Sequence, residues 1–264
     1  MTRPAISMQS VTKTWAIEGR ESVHALENFS LDVAPGEFVV FLGPSGCGKS
    51  TLLYVAAGLE EATSGAIICD GVPIEGPLAE RGLIFQEASL FPWLTIQDNV
   101  AFGLALNAEP VVKRRAVAAE MLRRVGLGDM LDKKPNELSG GMRQRAACAR
   151  ALAMRPKVLM MDEPFAALDV QTRAKMQEFL LQIWRDSRAS IILVTHSIDE
   201  AIALADRVVV FTARPGRIKS VVPIDLPRPR PSRDPAYHAL RDLFTDLLAD
   251  EVDRAFAEQE AAPA

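Results

Sequence analysis

Apolar residues are spaced along this chain in three ways, and each spacing predicts a different element. Short, nearly unbroken runs at Glu37–Leu42 and Val158–Met161 read as strands buried on both faces, where neither side of the pleat meets water. Leu83–Phe85, Ile191–Thr195, Arg207–Phe211 and Ile218–Val222 predict further short strands. Alternation marks His24–Val33 as a strand, after an N-terminal segment that includes Val11–Trp15. Turn signals at Thr63-Ser64-Gly65 and Asp70-Gly71 bracket Ala66–Cys69 and predict a hairpin. From about Glu87 the texture turns helical, with helices expected over Val111–Val125 and Met142–Met154; others are expected over Ser50–Gly58, Val170–Asp186 and Asp199–Ala205. Pro223–Pro235 reads as an extended, proline-rich linker. Beyond it Leu240, Leu243, Phe244, Leu247, Leu248 and Val252 share one helix face, which serves either packing on its own domain or a subunit contact.

Strands alternating with helices predict an α/β fold, and 264 residues with 48% hydrophobic content suffice for a sizeable core. A formal charge of −4 speaks against nucleic acid as the main partner. The three cysteines, Cys47, Cys69 and Cys148, form no CxxC and read as reduced thiols, the last two buried and inert. Met1–Ser10 lacks a signal-peptide core, and no apolar run is long enough to span a bilayer. A role at a membrane would therefore run through a separate partner.

Between the first buried run and the first helix lies Gly43-Pro44-Ser45-Gly46-Cys47-Gly48-Lys49-Ser50-Thr51, with the spacing G-x-x-x-x-G-K-[ST] of a phosphate-binding loop. Glycines let successive N–H groups converge on one anion, and the following helix points its positive end at the same place. Lys49 supplies a cation for the β- and γ-phosphates, and the Ser50 hydroxyl is placed to ligate Mg²⁺. These amides and Lys49 are also expected to favour the thiolate of Cys47. At the end of the second buried run, Asp162 is suited to hold Mg²⁺ through water and Glu163 to accept a proton from an attacking water.

Leu138-Ser139-Gly140-Gly141-Met142-Arg143-Gln144-Arg145 resembles the signature motif of the ATP-binding cassette ATPases. Other motifs of that family follow in order. Gln86 resembles the Q-loop glutamine and a magnesium ligand, Ala166-Ala167-Leu168-Asp169 the D-loop, and His196 the switch histidine. Trp15 resembles the aromatic that stacks on adenine, unless it is a core residue. The resemblance implies an α/β P-loop NTPase with a mixed sheet core, an antiparallel β subdomain and a helical subdomain near 87–156. The ATPase domain would cover 1–222, with a linker and terminal helix over 223–264. It further implies that Lys49, Glu163 and His196 are catalytic, that ATP and Mg²⁺ are bound, and that two chains pair head to tail. Ser139, Gly140 and Gly141 open a helix and offer N–H groups and a positive end, a second anion site best used on the partner's ATP. Arg143 and Arg145 are expected to make local salt bridges.

Gly76–Gly82, Phe91–Thr95, Arg214–Ile218 and Leu226–Arg230 look like the nitrate, sulfonate and taurine importer ATPases. That likeness implies a homodimer on the cytoplasmic face of the membrane, under permease subunits, with a periplasmic or extracytoplasmic solute-binding protein. Met142 stands where many cassettes have Gln, and Ala167 where Ser or Gly is common. Phe91-Pro92-Trp93-Leu94 is either core or a socket for a permease helix. The rival readings are a soluble cassette protein acting on a non-transport partner and a non-hydrolysing binding module.

Overall fold

The computed structural model describes residues 3–16, 19, 22–106 and 109–261. In chain order come β1 (Ile6–Trp15), β2 (Val23–Val33), β3 (Phe38–Leu42), α1 (Lys49–Ala57), β4 (Ser64–Cys69), β5 (Val72–Pro73) and β6 (Arg81–Ile84). They are followed by α2 (Ile96–Leu106), α3 (Val111–Arg124), α4 (Gly140–Ala153), β7 (Val158–Asp162) and α5 (Val170–Ser187). The last elements are β8 (Ser190–Thr195), α6 (Ile198–Leu204), β9 (Arg207–Phe211), β10 (Ile218–Pro223) and α7 (Pro235–Ala261). The chain divides into two compact units, Met1–Pro77 with Ser190–Ala264, and Leu78–Ala189.

In the first unit, β3 lies between β8 and β9 and is parallel to both, and β10 closes antiparallel on β9. All five residues of β3 are fully buried, which is why the sequence there shows no alternation. A separate antiparallel sheet runs β2-β1-β4-β5, the last two strands forming the expected hairpin. Phe29, Phe41 and Phe211 are fully buried and bring β2, β3 and β9 together, with ring centroids 5.0 to 5.9 Å apart. Gly43 rests on this aromatic core: a Cβ there would lie 2.9 Å from Phe211 Cβ.

The C-terminal part of this unit departs from a loose linker. Pro223–Pro235 carries little regular structure, but Arg228 and Arg230 tie it down. Arg230 donates to the carbonyls of Ile202, Ala205, Ile224 and Leu226, and Arg228 to Leu204 O and Asp206 Oδ1. These guanidiniums take up the last carbonyls of α6, where a positive charge also meets the negative end of the helix. Burial lowers the pKa of Arg230 to about 10, helped by the charge of Arg228. Helix α7 packs on its own unit through Tyr237, Phe244 and Leu248, while Leu243, expected on that buried face, is exposed.

In the second unit β6 and β7 pair in parallel. Helix α4 buries an alanine-rich face, Ala146, Ala147, Ala149 and Ala153, so α2 and α3 approach it closely. Among the described residues Arg143 and Arg145 make no close salt bridge, although the Asp169 carboxylate favours the charge on Arg145. They donate to backbone carbonyls instead, Arg143 to Leu138 O at 2.8 Å and Arg145 to Val125 O at 2.8 Å. Both carbonyls sit where a helix or turn ends, and a guanidinium fork suits such acceptors as well as a carboxylate.

Candidate functional site

The candidate residues are split between the units. Trp15, Gly43–Thr51 and His196 belong to the first; Gln86, Ser139–Gly141, Asp162, Glu163 and Asp169 belong to the second.

In the first unit the loop leaves β3 and enters α1 through Gly46 and Gly48, whose φ angles are 78° and 99°. At Gly48 a side chain is excluded twice, by that φ and by Ala25 O, which would lie 2.4 Å from a Cβ. Gly48 is the N-cap of α1 and brings no side chain to its first turn. This is the arrangement in which a helix start receives an anion. Lys49 is 5% exposed, and its Nζ donates to Gly43 O at 2.9 Å and Pro44 O at 2.7 Å. The ammonium is thus held inside the curl of the loop.

Cys47 corrects the expectation of a thiolate. It is 1% exposed, with Sγ 3.6 Å from Lys49 Nζ, and burial outweighs the lysine and the amides, so its pKa is raised. Cys148 is likewise buried, its pKa pushed up to about 12 by desolvation, whereas Cys69 is only partly covered. After brief alkylation of native protein, peptide mass spectrometry is expected to find Cys69 labelled well before Cys47 and Cys148. Rapid labelling of Cys47 that MgATP blocks would restore the thiolate reading.

His196 follows β8 and is framed by two short hydrogen-bond circuits. Thr195 Oγ1 donates to Glu200 Oε2 at 2.6 Å and accepts from Ser197 N at 3.0 Å. Ser197 caps α6 by accepting from Glu200 N at 3.3 Å. The Ser-x-x-Glu spacing of Ser197 and Glu200 is the signal of this cap that the sequence carries. Trp15 ends β1 half-buried, with Lys13 Nζ 4.1 Å above its ring; Lys13 itself bonds Glu60 and Glu61 O.

In the second unit β7 ends at Asp162, 1% exposed, and Glu163 follows with φ 45°. A non-glycine residue in that region stores roughly 1–3 kcal/mol of strain, held here by buried Pro164 and Phe165 on its C-terminal side. Gln86 Nε2 lies 3.5 Å from Glu163 Oε2, bringing the Q-loop glutamine to the expected base. Gln144, 2% exposed, donates to Phe85 O at 3.1 Å and so joins the helix of the signature to the strand before Gln86.

Ser139 is the N-cap of α4, accepting from Met142 N at 3.3 Å. Gly141 presses on the D-loop, where a Cβ would lie 3.1 Å from Leu168 Cδ2 and 3.3 Å from Ala167 O. At Gly140 a Cβ would meet nothing nearer than Arg143 Nη2 at 3.9 Å. Asp169 caps α5, accepting from Gln171 N and Thr172 N, and hydrogen bonds from Thr172 hold its carboxyl below its ordinary pKa.

The second unit also carries an exposed aromatic cluster. Phe91 packs against Phe102 (4.6 Å between centroids) and Trp93 (5.5 Å), and Trp93 is 68% exposed. Fully buried Asn99 fastens the loop beneath it, donating to the carbonyls of Phe91, Leu94 and Thr95 and accepting from Phe91 N.

Residues 26–166 match the family described as ABC transporter. The aliphatic sulfonates import ATP-binding protein SsuB of Bacillus licheniformis is 46% identical over 85% of this chain and 87% of its own. The nitrate import ATP-binding protein NrtD of Synechocystis is 46% identical over 87% of this chain and 90% of its own. Among solved structures, the dimeric post-hydrolysis state of the ATP-binding cassette MJ0796 bound to ADP and Pi superposes with a TM-score of 0.78 at 32% identity. It covers 84% of this chain and 99% of that one. The uncapped loop and helix of the first unit, the signature and acidic pair of the second, and these likenesses agree: the chain belongs to the ABC transporter family of ATP-hydrolysing, ATP-binding proteins.

Proposed function

We propose that this chain energises uptake of a small oxyanion, such as a sulfonate, nitrate or taurine, through a separate permease fed by an extracytoplasmic solute-binding protein. On this reading two copies work at the cytoplasmic face of the membrane. An ATPase domain over 1–222, its helical part near 87–156, is followed by an accessory segment over 223–264. The observation that carries the catalytic part is Lys49, buried and held inside a loop that opens an uncapped helix. The oxyanion assignment is supported by the sulfonate and nitrate relatives. No described helix is long and apolar enough to cross a membrane.

Lys49 and the amides of Gly43–Thr51 bind the phosphates, and Trp15 stacks on adenine. Ser50 and Gln86 would hold Mg²⁺, with Asp162 holding it through water; its preference for oxygen donors suits a hydroxyl, an amide carbonyl and a carboxylate. Magnesium, when bound, neutralises charge on the β- and γ-phosphates. Glu163 takes the proton of the attacking water, and His196 orients the γ-phosphate. Ser139, Gly140 and Gly141 present a second helix start to the partner's phosphates, with Asp169 alongside. The room at Gly140, unused by its own chain, supports this.

The exposed cluster around Trp93 is the proposed socket for a permease helix. Trp93→Ala is expected to leave ATP binding unchanged and to lower transport by about tenfold or more, as loss of an aromatic anchor does. Normal transport in the intact assembly would remove this segment from the interface. The whole reading is tested by reconstituting the chain with its permease and binding protein in vesicles and measuring ATP-dependent uptake of taurine, an alkanesulfonate and nitrate. ATPase activity unresponsive to any of the three would overturn the oxyanion assignment.

A further inference from the structure

Glu251 lies on α7, outside every motif assigned above, yet its carboxylate is 3% exposed. A carboxylate so buried needs compensating donors, and it has them. Oε2 accepts from Ala213 N at 2.7 Å, and Oε1 lies 2.8 Å from Lys219 Nζ and 4.0 Å from Arg254 Nη1. Burial pushes its pKa up, but the Lys219 and Ala213 hydrogen bonds and the neighbouring cations outweigh that and leave it lowered.

Ala213 belongs to the turn that joins β9 to β10, and Lys219 is the second residue of β10, just beyond that turn. Inside the turn Thr212 Oγ1 donates to Pro215 O at 2.9 Å and accepts from Arg217 N at 3.0 Å. Its outer edge docks on β2, Gly216 N donating to Ala25 O at 2.9 Å and Glu27 N to Gly216 O at 3.1 Å. Its inner edge meets the phosphate loop. A Cβ on Gly216 would lie 2.2 Å from Cys47 O, so the two backbones are in direct contact. Arg214 Nε donates to Gly46 O at 3.3 Å. One face of the loop is therefore shaped by the turn, and the turn is fastened from behind by α7.

We propose that Glu251 is a positioning residue for nucleotide binding, holding the Ala213–Gly216 turn against Gly46 and Cys47 so that the loop amides stay converged on the phosphates. Its action is on affinity. The groups proposed to move protons or orient the γ-phosphate lie elsewhere, so the chemical step keeps its rate once nucleotide is bound. The inference rests on Gly43–Thr51 being the phosphate loop.

The test compares steady-state MgATP hydrolysis and nucleotide binding in the purified full-length chain and its Glu251→Ala, Glu251→Gln, Arg214→Ala and Lys49→Ala variants. Glu251→Ala and Arg214→Ala are expected to raise KM and the Kd for MgATP by about three- to tenfold, in the range of coupling between contacting groups, with kcat within about twofold. Glu251→Gln keeps an acceptor for Ala213 N and is expected to recover part of the affinity. Because the latch acts through the turn, the double variant Glu251→Ala/Arg214→Ala is expected to be little worse than the more affected single variant. A merely structural role for Glu251 would lower Tm and the active fraction without moving KM. Unchanged KM in Glu251→Ala and Arg214→Ala, or fully additive effects, overturns the proposal. Should Glu251→Ala fail to fold, Glu251→Gln and the exposed Arg214→Ala still decide it. Lys49→Ala separates the two failures: normal nucleotide affinity there refutes the loop assignment, whereas lost affinity there with a silent Glu251 refutes only the latch.

Discussion

Glu163→Gln is expected to bind MgATP, to hydrolyse it about 10²–10⁴-fold more slowly, and to accumulate as an ATP-bound dimer, because the size of the side chain is kept while the proton acceptor is lost. The amide retains reach toward Gln86, 3.5 Å away in the wild type, so local geometry should survive. In a head-to-tail sandwich each ATP is gripped from both chains, and hydrolysis dissolves the contact that ATP created. Blocking hydrolysis therefore traps the pair. Ser139→Arg added to this variant should abolish the dimer, since a long side chain at the exposed start of α4 occupies the partner phosphate's approach. Light scattering of both variants with and without MgATP reads the result. A Glu163→Gln protein that turns over normally would show that another group is the base. One that stays monomeric at high concentration would show that closure needs the permease.

Lys49→Ala should have the other large effect: a loss of turnover of at least about 10²–10³-fold, together with weaker nucleotide binding. The change removes the buried cation and also the two hydrogen bonds to Gly43 O and Pro44 O that hold it inside the loop. Those carbonyls then need new partners, at about 1–3 kcal/mol for each that stays buried and unpaired. Thermal denaturation run beside the kinetics separates this structural cost from lost catalysis. A folded variant with wild-type turnover would refute the role given to Lys49.

Much of the fold was legible because the buried strands speak plainly. β3 and β7 are apolar at nearly every position, and their ends fall within one residue of the ends of the runs. Helix starts were less exact: α4 begins two residues before the expected Met142, at glycines that propensity disfavours and the Ser139 cap overrides. Side-chain direction in irregular backbone was not legible. Whether Cys47 faces phosphate or core depends on the φ angles of Gly46 and Gly48, which no periodicity encodes. Nor does spacing tell that Trp93 is exposed while Phe91, two residues earlier, is partly covered. Nor does the proline-rich pattern of Pro223–Pro235 reveal that Arg230 fastens it, because the acceptors at Ile202 and Ala205 are 28 and 25 residues away.

That long reach of Arg230 has a consequence for how the chain matures. Helix α6 has seven residues, too few to hold its shape alone in water. The guanidiniums that receive its last carbonyls sit at positions 228 and 230, and Tyr237 OH donates to Asp199 Oδ1 at its first turn at 3.0 Å. During synthesis, then, the phosphate loop and the acidic pair leave the ribosome long before the helix after His196 can be fastened at both ends. Nascent chains would carry a nucleotide cradle without a settled histidine. Competence for ATP turnover would come only after Arg228, Arg230 and Tyr237 have emerged and reached α6.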